Sequence, residues 1–114
     1  MHELAICEAI ADSARRLAAG QRVEQVQVRI GYLRQVVPDS LQFSWELLTA
    51  ESDLAGCELI VDHVPAVLDC RACGQQTTLT MPIMLCEACS SSDVTLIQGE
   101  EFQIVSLDRA QEVS

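Results

Sequence analysis

Four cysteines in two short pairs, Cys70-Arg71-Ala72-Cys73 and Cys86-Glu87-Ala88-Cys89, are the residues of this 114-residue chain best suited to defined chemistry. Each pair can present two sulfurs from one tight turn, and the twelve residues between the pairs are enough to fold back and close a tetrahedron. Four thiolates around zinc fill every coordination position, so no water is activated and the ion acts as a structural staple. Such binding contributes about 10–16 kcal/mol of apparent free energy. A segment with few apolar anchors needs a term of that size. Gly74, directly after the first pair, permits a tight turn, and Ser90 stands at the matching place after the second. Arg71 is expected to offset part of the negative charge of the site. Two disulfides, a redox-active pair or an iron-sulfur cluster are the alternatives. A chain with six cysteines and no export signal belongs in a reducing compartment, which favours a metal, and the paired knuckles look like a zinc ribbon. Cys7 and Cys57 sit in apolar settings and are expected in the core.

A second set of ligands lies at the amino terminus. The α-amine of Met1, the amide nitrogen and imidazole Nδ1 of His2, and the amide of Glu3 can close successive chelate rings around one ion. A planar set of nitrogens suits nickel(II) or copper(II) and serves zinc poorly. The Glu3 carboxylate is placed either to bind or to orient His2. Taken alone, a histidine at position 2 is usually a solvated residue before a helix. The other histidine, His63, lies in an apolar run and reads as a strand residue rather than a ligand.

The elements that must position these groups follow from periodicity. Residues 4–19 carry Ile6, Ile10, Ala14, Leu17 and Ala18 at helical spacing, with Arg15 and Arg16 near the end and Gly20 as the stop. Val26, Val28, Ile30 and Tyr32 alternate with polar residues as a half-buried strand. Pro38, Asp39 and Ser40 open a second helix running to about Glu51, with Leu41, Trp45 and Leu48 inward and Phe43 and Leu47 flanking the same apolar face. Residues 57–64 return to strand character and are expected to be central in a sheet. After Pro65 the composition turns to Cys, Thr, Gln and Ser until about Leu96. A last strand is expected over 99–108, with a bulge or two-sided burial where Val105 and Leu107 shift the apolar phase. The expected fold is α+β: a small mixed β-sheet with two helices packed on it, formed by 1–65 together with 98–114, and an inserted zinc-ribbon module over 66–97.

Composition narrows the functional classes. Nearly half the residues are apolar, which fits a globular protein. Seventeen acidic against seven basic residues give a formal charge of -10, which disfavours nucleic acid and favours a cationic partner or cation handling. No segment is long and apolar enough to span a bilayer. No secretory leader is visible, so the cytoplasm is expected. A sulfur-saturated zinc, with no nucleophile-base pair or phosphate loop, argues that the protein is not an enzyme.

The Met1-His2-Glu3 start, the helix-strand-helix-strand order, the two CxxC pairs and the closing strand together resemble the HypA/HybF family of hydrogenase-maturation nickel metallochaperones, over essentially the whole chain. The resemblance implies Ni(II) carried at Met1, His2 and Glu3, and structural Zn(II) held by Cys70, Cys73, Cys86 and Cys89. It also implies delivery with a partner GTPase to the large subunit of [NiFe]-hydrogenase, and leaves room for a homodimer. The alternative reading is a zinc-ribbon protein-interaction module in which His2 has no nickel role.

Overall fold

The structure is a computed structural model that describes residues 2–110. In chain order it contains α1 (Glu3–Ala18), β1 (Val23–Gly31), a 3-10 turn (Tyr32–Arg34), α2 (Pro38–Thr49) and β2 (Glu58–Val64). There follow β3 (Val67–Cys70), β4 (Gln76–Thr78), β5 (Val94–Gln98) and β6 (Phe102–Arg109). The strands form two three-stranded sheets, ordered β2-β1-β6 and β4-β3-β5. The fold is α+β, as the periodicity implies, and β6 returns to pair with β1 after the second sheet has been built. The chain separates into two compact units: the second comprises Ile30–Gln35 with His63–Phe102, and the first holds the rest of the described chain.

In the first unit, α1 buries Cys7, Ile10, Ala11, Ala14 and Ala18, one stripe at helical spacing. Its end is made by two left-handed residues, Ala19 (φ 51°) and Gly20 (φ 87°), so the stop expected at Gly20 begins one residue earlier. Leu17, expected inside, is exposed, because the last turn is covered on the side of Ala14 and Ala18. α2 starts with Pro38 at its first turn, where a missing N–H costs nothing. It buries Leu41, Trp45 and Thr49. The Trp45 indole N–H donates to the Cys57 carbonyl at 2.8 Å, and the Cys7 thiol donates to the Leu41 carbonyl at 3.5 Å. Both cysteines are in the core as expected. Phe43 and Leu47 are not: they face solvent on the far side of the helix.

Val26, Val28 and Ile30 alternate inward along β1, but Tyr32 leaves the strand and opens the 3-10 turn. β1, not β2, is the central strand of its sheet. β2 is an edge strand on which only Leu59 and Val64 are buried, so its apolar richness does not translate into two covered faces. His63 is exposed on it. β6 is the other edge, and Ile104 and Leu107 are its partly buried residues. Ile104 and Leu107 are three residues apart, so the covered face changes between them and the expected shift of apolar phase is present, while Val105 itself is exposed.

The second unit is built on β3, which pairs antiparallel with both β4 and β5 (Leu68↔Thr77 and Leu68↔Leu96). Its core is small: Ala66, Leu68 and Leu79, flanked by partly buried Tyr32, Leu33, Val94 and Leu96. Backbones crowd beside it. Gly31 accepts no side chain because an added Cβ would enter the Gly99 carbonyl, and a Cβ on Gly99 would lie 2.5 Å from Ala66 Cα.

Candidate metal centre

β3 ends on Cys70, and the turn that follows carries Cys73 before β4 begins. The second pair is presented by an equivalent turn just before β5. In the first knuckle the Cys70 N–H donates to Gln75 O (3.0 Å) and Cys70 O accepts from Gly74 N (2.9 Å). In the second, the Cys86 N–H donates to Ser91 O (3.0 Å) and Cys86 O accepts from Ser90 N (2.8 Å). The two turns repeat one geometry, and each ends in a left-handed residue, Gly74 (φ 77°) and Ser90 (φ 63°).

The four sulfurs converge, with every pair within 4.8 Å. Cys70 Sγ lies 3.7 Å from Cys89 Sγ, and Cys73 Sγ lies 3.6 Å from Cys86 Sγ. A tetrahedron with zinc-sulfur bonds of about 2.3 Å has edges of about 3.8 Å, so these spacings fit one ion at the centre. They are far beyond a disulfide bond of about 2.05 Å, and all six cysteines are free thiols. Cys70 and Cys86 are buried while Cys73 and Cys89 are exposed, so the cluster has a shielded side and an open side.

The electrostatics of the cluster call for a cation. Amide hydrogen bonds from Cys89 and then Ala88, aided by the neighbouring thiols and opposed by burial, hold Cys86 down to about 6. Cys89 is stabilised as a thiolate by the Ser91 amide, yet its contact with Cys70, partial loss of hydration and the proximity of Cys73 and Cys86 push it up to about 12. For Cys73 the Gln75 amide favours the thiolate, but partial loss of hydration and the contacts with Cys86 and Cys70 outweigh it and raise the thiol. One thiol ionises readily, and its neighbours resist sharing the same small volume as anions. A divalent ion removes that conflict.

Two surrounding contacts complete the centre. Arg71 is not aimed at the sulfurs: its Nε pairs with Asp93 at 3.0 Å, and its N–H donates to Asp93 O at 2.9 Å. Its role is to tie the first knuckle to the strand after the second, which corrects the expectation that it offsets the charge of the site. Thr77, which sequence reasoning missed, is buried with its hydroxyl 4.0 Å from Cys86 Sγ, and it accepts the Glu87 N–H at 3.4 Å. A threonine in a Thr-Thr run gives no signal of this in the sequence. Only the β3–β4 pairing, which sets it opposite Leu68, turns it inward.

At the amino terminus, Met1 lies outside the described residues. His2 is the residue before α1, and its carbonyl accepts the first helical hydrogen bond from Ile6 N at 2.9 Å. Its side chain is half exposed, with Nε2 turned to Glu3 Oε2 at 3.4 Å. That orientation leaves Nδ1 as the ring nitrogen directed elsewhere. Glu3 is buried, unusual for a carboxylate, and its charge adds to the burial that lifts the Cys7 thiol to about 11.

An α+β chain with a convergent four-thiol centre defines a small metal-handling protein. Over residues 1–109 it matches the family model described as hydrogenase/urease nickel incorporation, metallochaperone, hypA. It is 37% identical over 112 residues to the hydrogenase maturation factor HypA of Desulfosudis oleivorans, covering 95% of this chain and 97% of that one. It is 38% identical over 112 residues to that of Chloroflexus aurantiacus (95% and 98%). Among solved structures, the Ni metallochaperone HypA from Helicobacter pylori shares the fold, with a TM-score of 0.67 and 23% identity over 98% of this chain and 100% of that one. The chain belongs to the HypA family of hydrogenase and urease nickel incorporation proteins, which are metallochaperones and not enzymes.

Proposed function

We propose that this protein carries Ni(II) at its amino terminus and Zn(II) in its four-cysteine centre, and delivers the nickel with a partner GTPase to the large subunit of [NiFe]-hydrogenase. The observation that carries the zinc half is the 3.6 and 3.7 Å sulfur spacing in a closed set of four thiols. Cys70, Cys73, Cys86 and Cys89 hold the ion, which supplies cross-linking and no open coordination site. Its role is to fasten the two knuckles across a core of three buried residues that is too small to hold them alone.

The nickel half is supported by family membership and by the setting of His2. The α-amine of Met1, the amide and Nδ1 of His2 and the Glu3 amide supply the ligands, while the Glu3 carboxylate orients the imidazole through Nε2. Nitrogen ligands in a plane select nickel or copper over zinc, and thiolates in a tetrahedron select zinc, so each ion keeps to its own site. In this reading 1–65 with 98–114 form the nickel-bearing domain and 66–97 the zinc ribbon. The protein works in the reducing cytoplasm, where cysteines stay reduced and available as metal ligands. Among the described residues no helix is long and apolar enough to cross a membrane.

Nickel titration of the intact protein and of His2→Ala, with zinc content measured in both, tests the proposal. Loss of the nickel site with unchanged zinc is expected. Equal nickel uptake by both proteins overturns the amino-terminal assignment, and an absence of zinc from protein purified without chelator overturns the other.

A further inference from the structure

α2 is apolar on two opposite faces. Leu41, Trp45 and Thr49 repeat every four residues and are 0%, 2% and 4% exposed, so one face is fully occupied by the core. Phe43 and Leu47, also four apart and thus neighbours on the helix surface, are 61% and 64% exposed. No other large apolar side chain among the described residues is as open. Two large apolar side chains side by side on the face turned from the core form a surface suited to a partner.

The rim of this face carries one sign of charge. Asp39 and Glu46 are the only ionisable residues of α2, both are exposed, and neither takes part in an ion pair among the described residues. Asp39 lies one turn before Phe43, and Glu46 lies beside Leu47 and one turn after Phe43. A second copy of this chain docking here would set these carboxylates against each other, within a pair of molecules each carrying a formal charge of -10. Like charges facing across an interface oppose such a dimer. A segment with apolar anchors and flanking lysine or arginine satisfies both features at once.

We propose that the outer face of α2 docks an amphipathic, cationic helix of another protein, with Phe43 and Leu47 as its anchors and Asp39 and Glu46 as its charged rim. The test uses the full-length protein and a synthetic amphipathic helix of leucine and lysine, read by fluorescence anisotropy, with a leucine-glutamate helix as the opposite-charge control. The lysine peptide should bind and the glutamate peptide should not. Phe43→Ala with Leu47→Ala should weaken binding by about tenfold or more without changing net charge. Asp39→Asn with Glu46→Gln should weaken it and flatten its dependence on salt. Both substituted pairs are on an exposed face, and circular dichroism checks that the fold persists. Binding that survives loss of both apolar anchors would reflect charge alone and overturns the proposal. Absence of binding to the lysine peptide overturns it too, as does a wild-type dimer that becomes a monomer in the Phe43→Ala, Leu47→Ala protein.

Discussion

Gly74 and Ser90 occupy the same place in the two cysteine knuckles: each donates its N–H to the carbonyl of the cysteine four residues earlier, and each is left-handed, at φ 77° and φ 63°. Glycine adopts that backbone freely, whereas an L-residue with a Cβ is strained in it by about 1 kcal/mol. Nothing lies within 4 Å of a Cβ added at Gly74, so the cost there is a backbone cost. Gly74→Ala is therefore expected to lower stability by about 1 kcal/mol, and Ser90→Gly to raise it by up to about the same amount. Urea denaturation of the metal-loaded protein reads both. Equal effects of the same sign would contradict the equivalence of the two turns.

Thr77 bridges the second knuckle from inside. Its hydroxyl faces Cys86 Sγ and takes the Glu87 N–H, so it holds both the ligand and the turn that carries it. Removing the hydroxyl while keeping the shape leaves the Glu87 amide short of its acceptor and Cys86 Sγ short of a donor. Thr77→Val should speed loss of zinc to a competing chelator by roughly fivefold, corresponding to about 1 kcal/mol for one hydrogen bond. Thr77→Ser should restore most of the retention. A Val variant as retentive as the wild type would show that the 4.0 Å contact is idle.

The metal centre was the most legible part of the sequence because ligand spacing is local: two residues between cysteines dictate a turn, and twelve between the pairs allow closure. The helices and strands followed from periodicity. What periodicity could not supply was which faces are covered. Phe43 and Leu47 lie on an apolar helix but point away from the core, and β2 is rich in apolar residues yet lies at an edge. Both facts depend on neighbours distant in the chain. The same holds for Thr77, buried through its cross-strand partner, and for Arg71, whose charge is taken by Asp93.

Cys7 should make the stability of the first unit depend on alkaline pH. Burial, reinforced by the charge of Glu3, raises its thiol from 9.0 to about 11 in the folded chain. Below about pH 9 the thiol is protonated in both folded and unfolded states and contributes no pH dependence. Above it, the unfolded chain gives up the proton while the folded chain keeps it, so stability declines as pH rises toward about 11. Cys57, raised by burial and then by Glu58, adds in the same direction. Urea midpoints across this range should fall less steeply for Cys7→Ala than for the wild type. Parallel slopes would mean that the buried thiol titrates as it does in water.

The proposed amino-terminal nickel site can be tested without any substitution, because the seven basic side chains are all arginines and the chain contains no lysine. The α-amine of Met1 is then the sole primary amine, and an amine-selective acetylating reagent should add one group per chain, verified by mass. Acetylation removes the amine lone pair and its chelate ring but leaves the His2 imidazole, Glu3 and all six thiols untouched. Nickel binding should fall by an order of magnitude or more, roughly as expected when one of four ligands and its ring are lost, while zinc stays at one ion per chain. This separates the amine from the imidazole, which His2→Ala alone cannot do. Full nickel uptake by fully acetylated protein would move the cargo to other ligands.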